Sequence, residues 1–208
     1  MTRCANRFPH EGNPQVTVPS LTPLFPRQRV PALSVKTVGG PIWTLAEQTP
    51  ERFTLVVFYC GLHCPICGGN LRDLSKKIAE FERRGVTVVA ISSDIEERAQ
   101  DAKKQWRLAD LVLGYDLDLE TARRWGLYIS RGLSGPTSIG LVEPPLFSEP
   151  ALYLVRPDGT LYFGTSQTML FARPHLDDIL TALDFVIAKK SSGARRRDEW
   201  RIPETDES

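Results

Sequence analysis

Three cysteines fall within eight residues in the stretch FYCGLHCPICGGNL, residues 58–71, directly behind the apolar run TLVVFY of residues 54–59. A continuously apolar run of this length is the pattern of a central strand covered on both faces. Beyond the cysteines, Leu71, Leu74, Ile78 and Phe81 recur at helical spacing, and Gly85 stands where a C-cap is expected. The thiols therefore sit at a strand-to-helix junction, and the fold must be one that presents such a junction.

The flanking elements narrow the choice. Residues 86–92 predict a second buried strand and residues 95–106 a second helix, and this strand–helix–strand–helix order sets both strands parallel in one sheet. Upstream, residues 33–38 and 41–45 alternate around Gly39-Gly40, a hairpin signal. Downstream, a short helix is expected over 118–125. A long loop rich in Gly and Pro follows over 128–149, then a hairpin closed by Arg156-Pro-Asp-Gly159, and finally a helix through Leu176, Ile179, Leu180, Leu183 and Val186. The segments divide as an extended Pro-rich leader (1–31), one α/β domain (32–188) and a flexible charged tail (189–208).

With 208 residues, 41% hydrophobic content and a formal charge of +1, the chain can bury one full core and carries no basic face for nucleic acid or an anionic membrane. No run of 18 apolar residues occurs, and the N-terminus lacks the apolar centre of a signal peptide, so a cytoplasmic protein is expected. In a reducing compartment clustered cysteines are catalytic, redox-sensing or metal-bound rather than structural disulfides. Cys4, alone in the leader, reads as an incidental thiol.

Three chemistries compete for Cys60, Cys64 and Cys67. The spacing Cys60-x3-Cys64-x2-Cys67 is similar to that of the cluster loop of radical S-adenosylmethionine enzymes. That resemblance implies a barrel of repeated strand–helix units, however, and the later hairpin argues against one. A zinc site needs a fourth ligand, and His63, adjacent in sequence to Cys64, is poorly placed to supply it. The third reading takes Cys64-Pro65-Ile66-Cys67 as a redox C-x-x-C. Cys64 then lies at the helix N-terminus, where free N–H groups and the macrodipole favour a thiolate, Pro65 suits the first helical position, and Cys67 resolves a mixed disulfide one turn later. On this reading no metal and no cofactor are expected.

The segments LVVFYCGLHCPIC, VVAISSD and EPALYLVRPDGTLYF resemble the thioredoxin-like superfamily, and within it the alkyl hydroperoxide reductase and thiol-specific antioxidant (peroxiredoxin-like) family, over roughly residues 32–188. The resemblance implies a central mixed β-sheet flanked by helices, with an N-terminal β-hairpin. It also implies antioxidant oxidoreductase activity. The peroxidatic motif of that family lays its cysteine on Cys67, with Cys60 and Cys64 where its proline and threonine belong. The arginine that polarises peroxide there is not evident; Arg131, Arg156 and Arg173 are the candidates. Reductases of thioredoxin type instead carry a cis-proline facing the C-x-x-C, and Pro150 fits that position.

The expected function is thus thiol–disulfide exchange by Cys64 as nucleophile and Cys67 as resolving thiol. Pro150 shapes the substrate groove, Glu149 or His63 transfers protons, and Cys60 is either a third redox thiol or a small residue filling the turn. Electrons would come from a thioredoxin- or glutathione-type reductant, and association into homo-oligomers is left open. Two rivals stand: a thiol peroxidase with Cys67 as the peroxidatic residue, and a non-catalytic thioredoxin-fold binding or sensor module using the loop 128–149.

Overall fold

In the computed structural model, which describes residues 23–167, 169 and 171–188, the run behind the cysteines is a strand, β3 (Phe53–Phe58), buried at every residue. It lies between β4 (Val86–Ile91), its parallel partner, and β8 (Ala151–Val155), its antiparallel one. Neighbours on both sides and cover on both faces explain why no polar residue interrupts it but Thr54.

The hairpin β1 (Ser34–Thr37) and β2 (Trp43–Thr44) forms as the Gly-Gly signal requires, with Gly39 at φ 73° in the turn. One strand of the main sheet escaped the sequence reading. β5 (Val112–Tyr115) is only four residues long and joins β4 in parallel and β1 antiparallel, giving a mixed sheet of order β2-β1-β5-β4-β3-β8-β9, where β9 is Leu161–Ser166. The Pro-Asp-Gly turn joins β8 to β9, and a bulge falls at Leu154/Val155.

Side chains alternate across β3, so Leu55 and Val57 face one layer and Val56 and Phe58 the other. The first layer holds Leu71, Leu74 and Phe81 of helix α1 (Pro65–Glu82), Ala99 and Ala102 of α2 (Glu96–Gln105), and Ile179 and Leu183 of α4 (Leu176–Ala188). Across the sheet, Trp125 packs fully buried against Phe58 and Tyr153 beside α3 (Leu119–Arg124), whose N-cap Asp118 accepts the Glu120 and Thr121 N–H groups.

Residues 128–149 are not wholly a loop. β6 (Ile129–Arg131) pairs antiparallel with β7 (Leu146–Ser148), a ribbon apart from the main sheet that brings the end of the segment back over the cysteines. Short strands separated by a long excursion leave too little periodicity to read. The described part of the leader runs beside the β8–β9 turn through an Arg29–Thr160 bridge and the Val30 N–H to Gly159 O bond. Cys4 and the tail beyond residue 188 lie outside the described residues. No described helix is long and apolar enough to cross a membrane.

Candidate functional site

Where β3 ends, the chain must turn from sheet to helix within six residues, and the cysteines occupy that turn. Cys64 is the N-cap of α1. Its φ of −101° and ψ of 101° are extended, and its sulfur accepts the Cys67 N–H at 3.3 Å. Pro65 follows at the first helical position, where a missing N–H costs nothing. The next turn comes close to the end of α2: a Cβ on Gly68 would lie 2.7 Å from the Trp106 indole, so glycine lets helix and ring approach beside Cys67, which is 2% exposed.

The turn itself is pinned by charge. Asp94, buried two residues before α2, accepts the Leu62 N–H at 2.7 Å and pairs with Arg98 at 2.9 Å. Arg98 continues to His63 Nδ1 at 3.3 Å and to the Val142 carbonyl at 3.2 Å, tying the cysteine turn to the long excursion above it. Gly61, at φ 140°, passes so close to Asp94 that a Cβ would fall 2.6 Å from a carboxylate oxygen. Asp94 and Arg98 were not legible as site residues; the signal was an acid three residues after a buried strand.

The three sulfurs lie within 4.8 Å of one another and form no disulfide. Cys60 and Cys67 are buried. Cys64 is half-buried and opens, with His63, Ile66, Glu143 and Phe147, into a groove of about 220 Å³. Hydrogen bonds from the Cys60 and Cys67 thiols, then the Cys67 N–H and the charge of Arg173, hold Cys64 well below the ordinary thiol range against the cost of burial. For Cys67 the Cys60 contact acts downward, yet donation toward Cys64 and burial outweigh it and push the thiol up to about 12. Cys60 is raised by bonding to the other two sulfurs and by burial. The shared proton arrangement thus favours one thiolate, on Cys64.

The remaining expectations divide. His63 is 2% exposed and meets Phe147 edge-on at 4.6 Å, burial lowers its pKa, and its bonded nitrogen faces Arg98, not a thiol. Glu149 is buried directly after β7, but the sulfur it meets belongs to Cys60, at 3.6 Å, while its other oxygen accepts the Ser130 hydroxyl. Of the two residues offered as proton acceptors, Glu149 thus meets the Cys60 sulfur and His63 meets Arg98.

The cis bond expected at Pro150 is a correction, because no peptide bond among the described residues is cis. The backbone there stays extended: the Glu149 N–H bonds to Tyr128 O at 2.7 Å, and Pro150 O accepts the Gln167 N–H at 3.0 Å. Pro150 instead lines a small cavity of about 20 Å³ beside Cys67, with Tyr59, Asn70, Gln167 and Arg173. Of the three candidate arginines, Arg173 reaches the site, its Nη2 3.7 Å from Cys67 Sγ. Arg156 stacks on Tyr162 and bonds to Leu161 O, and Arg131 is exposed on β6.

A family model described as the AhpC/TSA family matches residues 26–163. Among solved structures, peroxidoxin BcpB of Mycobacterium tuberculosis superposes with a TM-score of 0.62 at 19% identity, covering 78% of this chain and 98% of its own. The reduced 2-Cys peroxiredoxin of Plasmodium vivax gives 0.64 at 16%, covering 81% and 84%, and Mycobacterium tuberculosis AhpC gives 0.58 at 17%, covering 83% and 98%. At these identities the likeness is one of fold. No curated protein matches the chain significantly.

Proposed function

The chain belongs to the AhpC/TSA family of thiol-dependent oxidoreductases, and from that premise we propose that Cys64 and Cys67 form a dithiol–disulfide couple that reduces a hydroperoxide. The observation that carries this reading is the bond from the Cys67 N–H to Cys64 Sγ at 3.3 Å, on a half-buried residue at a helix N-terminus. It gives Cys64 both the thiolate and the access that a nucleophile needs.

The Cys64 thiolate attacks one oxygen of the O–O bond. Alkoxide leaves and takes a proton from solvent, and Cys64 becomes a sulfenic acid. Cys67 then attacks that sulfur, losing its proton as hydroxide departs as water, and the Cys64–Cys67 disulfide closes. Arg173 at 3.7 Å lowers the cost of charge on the Cys67 sulfur during that second step. A thioredoxin- or glutathione-type thiol reductant restores both thiols by exchange.

One observation favours reversed roles: Cys67 has its own small cavity and the nearby Arg173. Trapping with a sulfenic-acid reagent after one equivalent of hydrogen peroxide separates the two. The sulfenic acid is expected in Cys67→Ser and not in Cys64→Ser. The opposite pattern reverses the assignment, and its absence from both variants overturns the peroxidase reading.

A further inference from the structure

The cysteine turn carries more than a dithiol needs. Cys60 Sγ, Cys64 Sγ and Cys67 Sγ all lie within 4.8 Å of one another, and a buried carboxylate oxygen, Glu149 Oε2, stands 3.6 Å from Cys60 Sγ. From these positions we propose that the reduced chain binds one thiophilic divalent ion of the zinc class through Cys60, Cys64, Cys67 and Glu149.

The distances decide between a single ion and a cluster. Zinc–thiolate bonds of about 2.3 Å in a tetrahedron set sulfurs roughly 3.8 Å apart, and a carboxylate oxygen at about 2.0 Å falls roughly 3.5 Å from a ligating sulfur. The three sulfurs require a contraction of about 1 Å at most, and Glu149, which meets Cys60 but stands outside the group of mutually close sulfurs, has to swing toward Cys64 and Cys67 to close the tetrahedron; an iron–sulfur cluster would instead have to push the three thiols apart to admit several irons and sulfides. Sequence spacing supplied three ligands and no fourth. The fourth comes from 89 residues away, where β7 passes over the turn.

Charge and support are also in place. Three thiolates and a carboxylate around a divalent ion leave a net charge of −2, and Arg173 at 3.7 Å from Cys67 Sγ offsets part of it. Glu149 is held from behind by the Ser130 hydroxyl, the kind of outer contact that orients a ligating carboxylate. Half-buried Cys64, on the groove beside His63, gives the ion a route in. Binding releases the thiol protons to water. It also excludes the redox reaction: two thiolates, one hydroperoxide and two protons yield the Cys64–Cys67 disulfide, an alcohol and water, and the ion loses two of its ligands. Peroxide would therefore discharge the site.

The test is anaerobic titration of the reduced full chain with Cd²⁺, followed by thiolate-to-metal absorbance and by metal analysis after desalting, with Zn²⁺ as competitor. Saturation at one ion per chain is expected, with displacement by Zn²⁺ and release on adding hydrogen peroxide. Cys60→Ser should lose about a third of the absorbance. Glu149→Gln should keep the full band but bind at least about tenfold more weakly, and circular dichroism identifies any variant that has not folded. Uptake well below one ion, or a band and affinity unchanged in both variants, overturns the inference. A metal-free chain that reduces peroxide but takes up no Cd²⁺ overturns the ion site alone. One that binds Cd²⁺ without forming the Cys64–Cys67 disulfide supports the site and overturns the peroxidase reading.

Discussion

The guanidinium of Arg173 stands 3.7 Å from the Cys67 sulfur although 106 residues separate them in the chain. The contact exists because Arg173 lies just before α4, which packs in the same layer as α1.

Removing that cation should slow the step in which Cys67 takes on charge. Arg173→Met is expected to lower the rate of disulfide closure about 10²-fold, the usual effect of deleting one charge-stabilising donor, while Arg173→Lys recovers part of it. Stopped-flow fluorescence can follow closure, since Trp106 packs over the first turn of α1. An unchanged rate in Arg173→Met would remove Arg173 from the mechanism.

Alkylation should distinguish the thiols by pH. Because the Cys64 pKa lies below the ordinary range, its thiolate persists as pH falls, and labelling by iodoacetamide should stay nearly flat from pH 8 to pH 5 in chelator-treated protein. An ordinary thiol of pKa ≈ 8.5 would lose more than about 100-fold over the same interval. Cys67, raised and buried, should label only after denaturation. Peptide mapping reports both, and a Cys64 rate that collapses below pH 8 contradicts the assignment.

Gly68→Ala tests the close approach of helix and indole. Alanine is intrinsically the better helix former by about 1 kcal/mol, but its Cβ would meet Trp106 at 2.7 Å, and that ring is held edge-on to Tyr59. Overpacking of this kind costs about 1–3 kcal/mol. A lower Tm is expected, by about 2–4 °C per kcal/mol of net loss. A rise in Tm would show that Trp106 can retreat.

Asp94→Asn should weaken the anchor of the cysteine turn. The amide keeps the size but puts a donor where either Arg98 or the Leu62 N–H now donates, for a cost of about 1–3 kcal/mol. The urea midpoint measures this, and peroxide reactivity should fall with it, because His63 and the turn lose their hold on Arg98. Loss of stability with full reactivity would make Asp94 a purely structural residue.

Local order along the chain was legible wherever neighbouring residues alone enforce it. An unbroken apolar run has to be covered on both faces, so residues 54–59 announced a central strand. Helical spacing from Leu71 to Phe81, with Pro65 before it, located the helix that carries Cys64 at its N-terminus, and Gly-Gly and Pro-Asp-Gly announced their turns. The chemistry of Cys64 follows from that local arrangement. What surrounds the thiols does not, because it is assembled by packing between elements far apart in sequence. Four residues were too few for β5 to show a period, and the register of the β6–β7 ribbon decided that Glu149 meets Cys60. The extended run into β8 kept Pro150 from the cis turn its sequence context suggested. α4 packing beside α1 chose Arg173 over Arg131 and Arg156, since a charged side chain carries no local signal of which sulfur it will face.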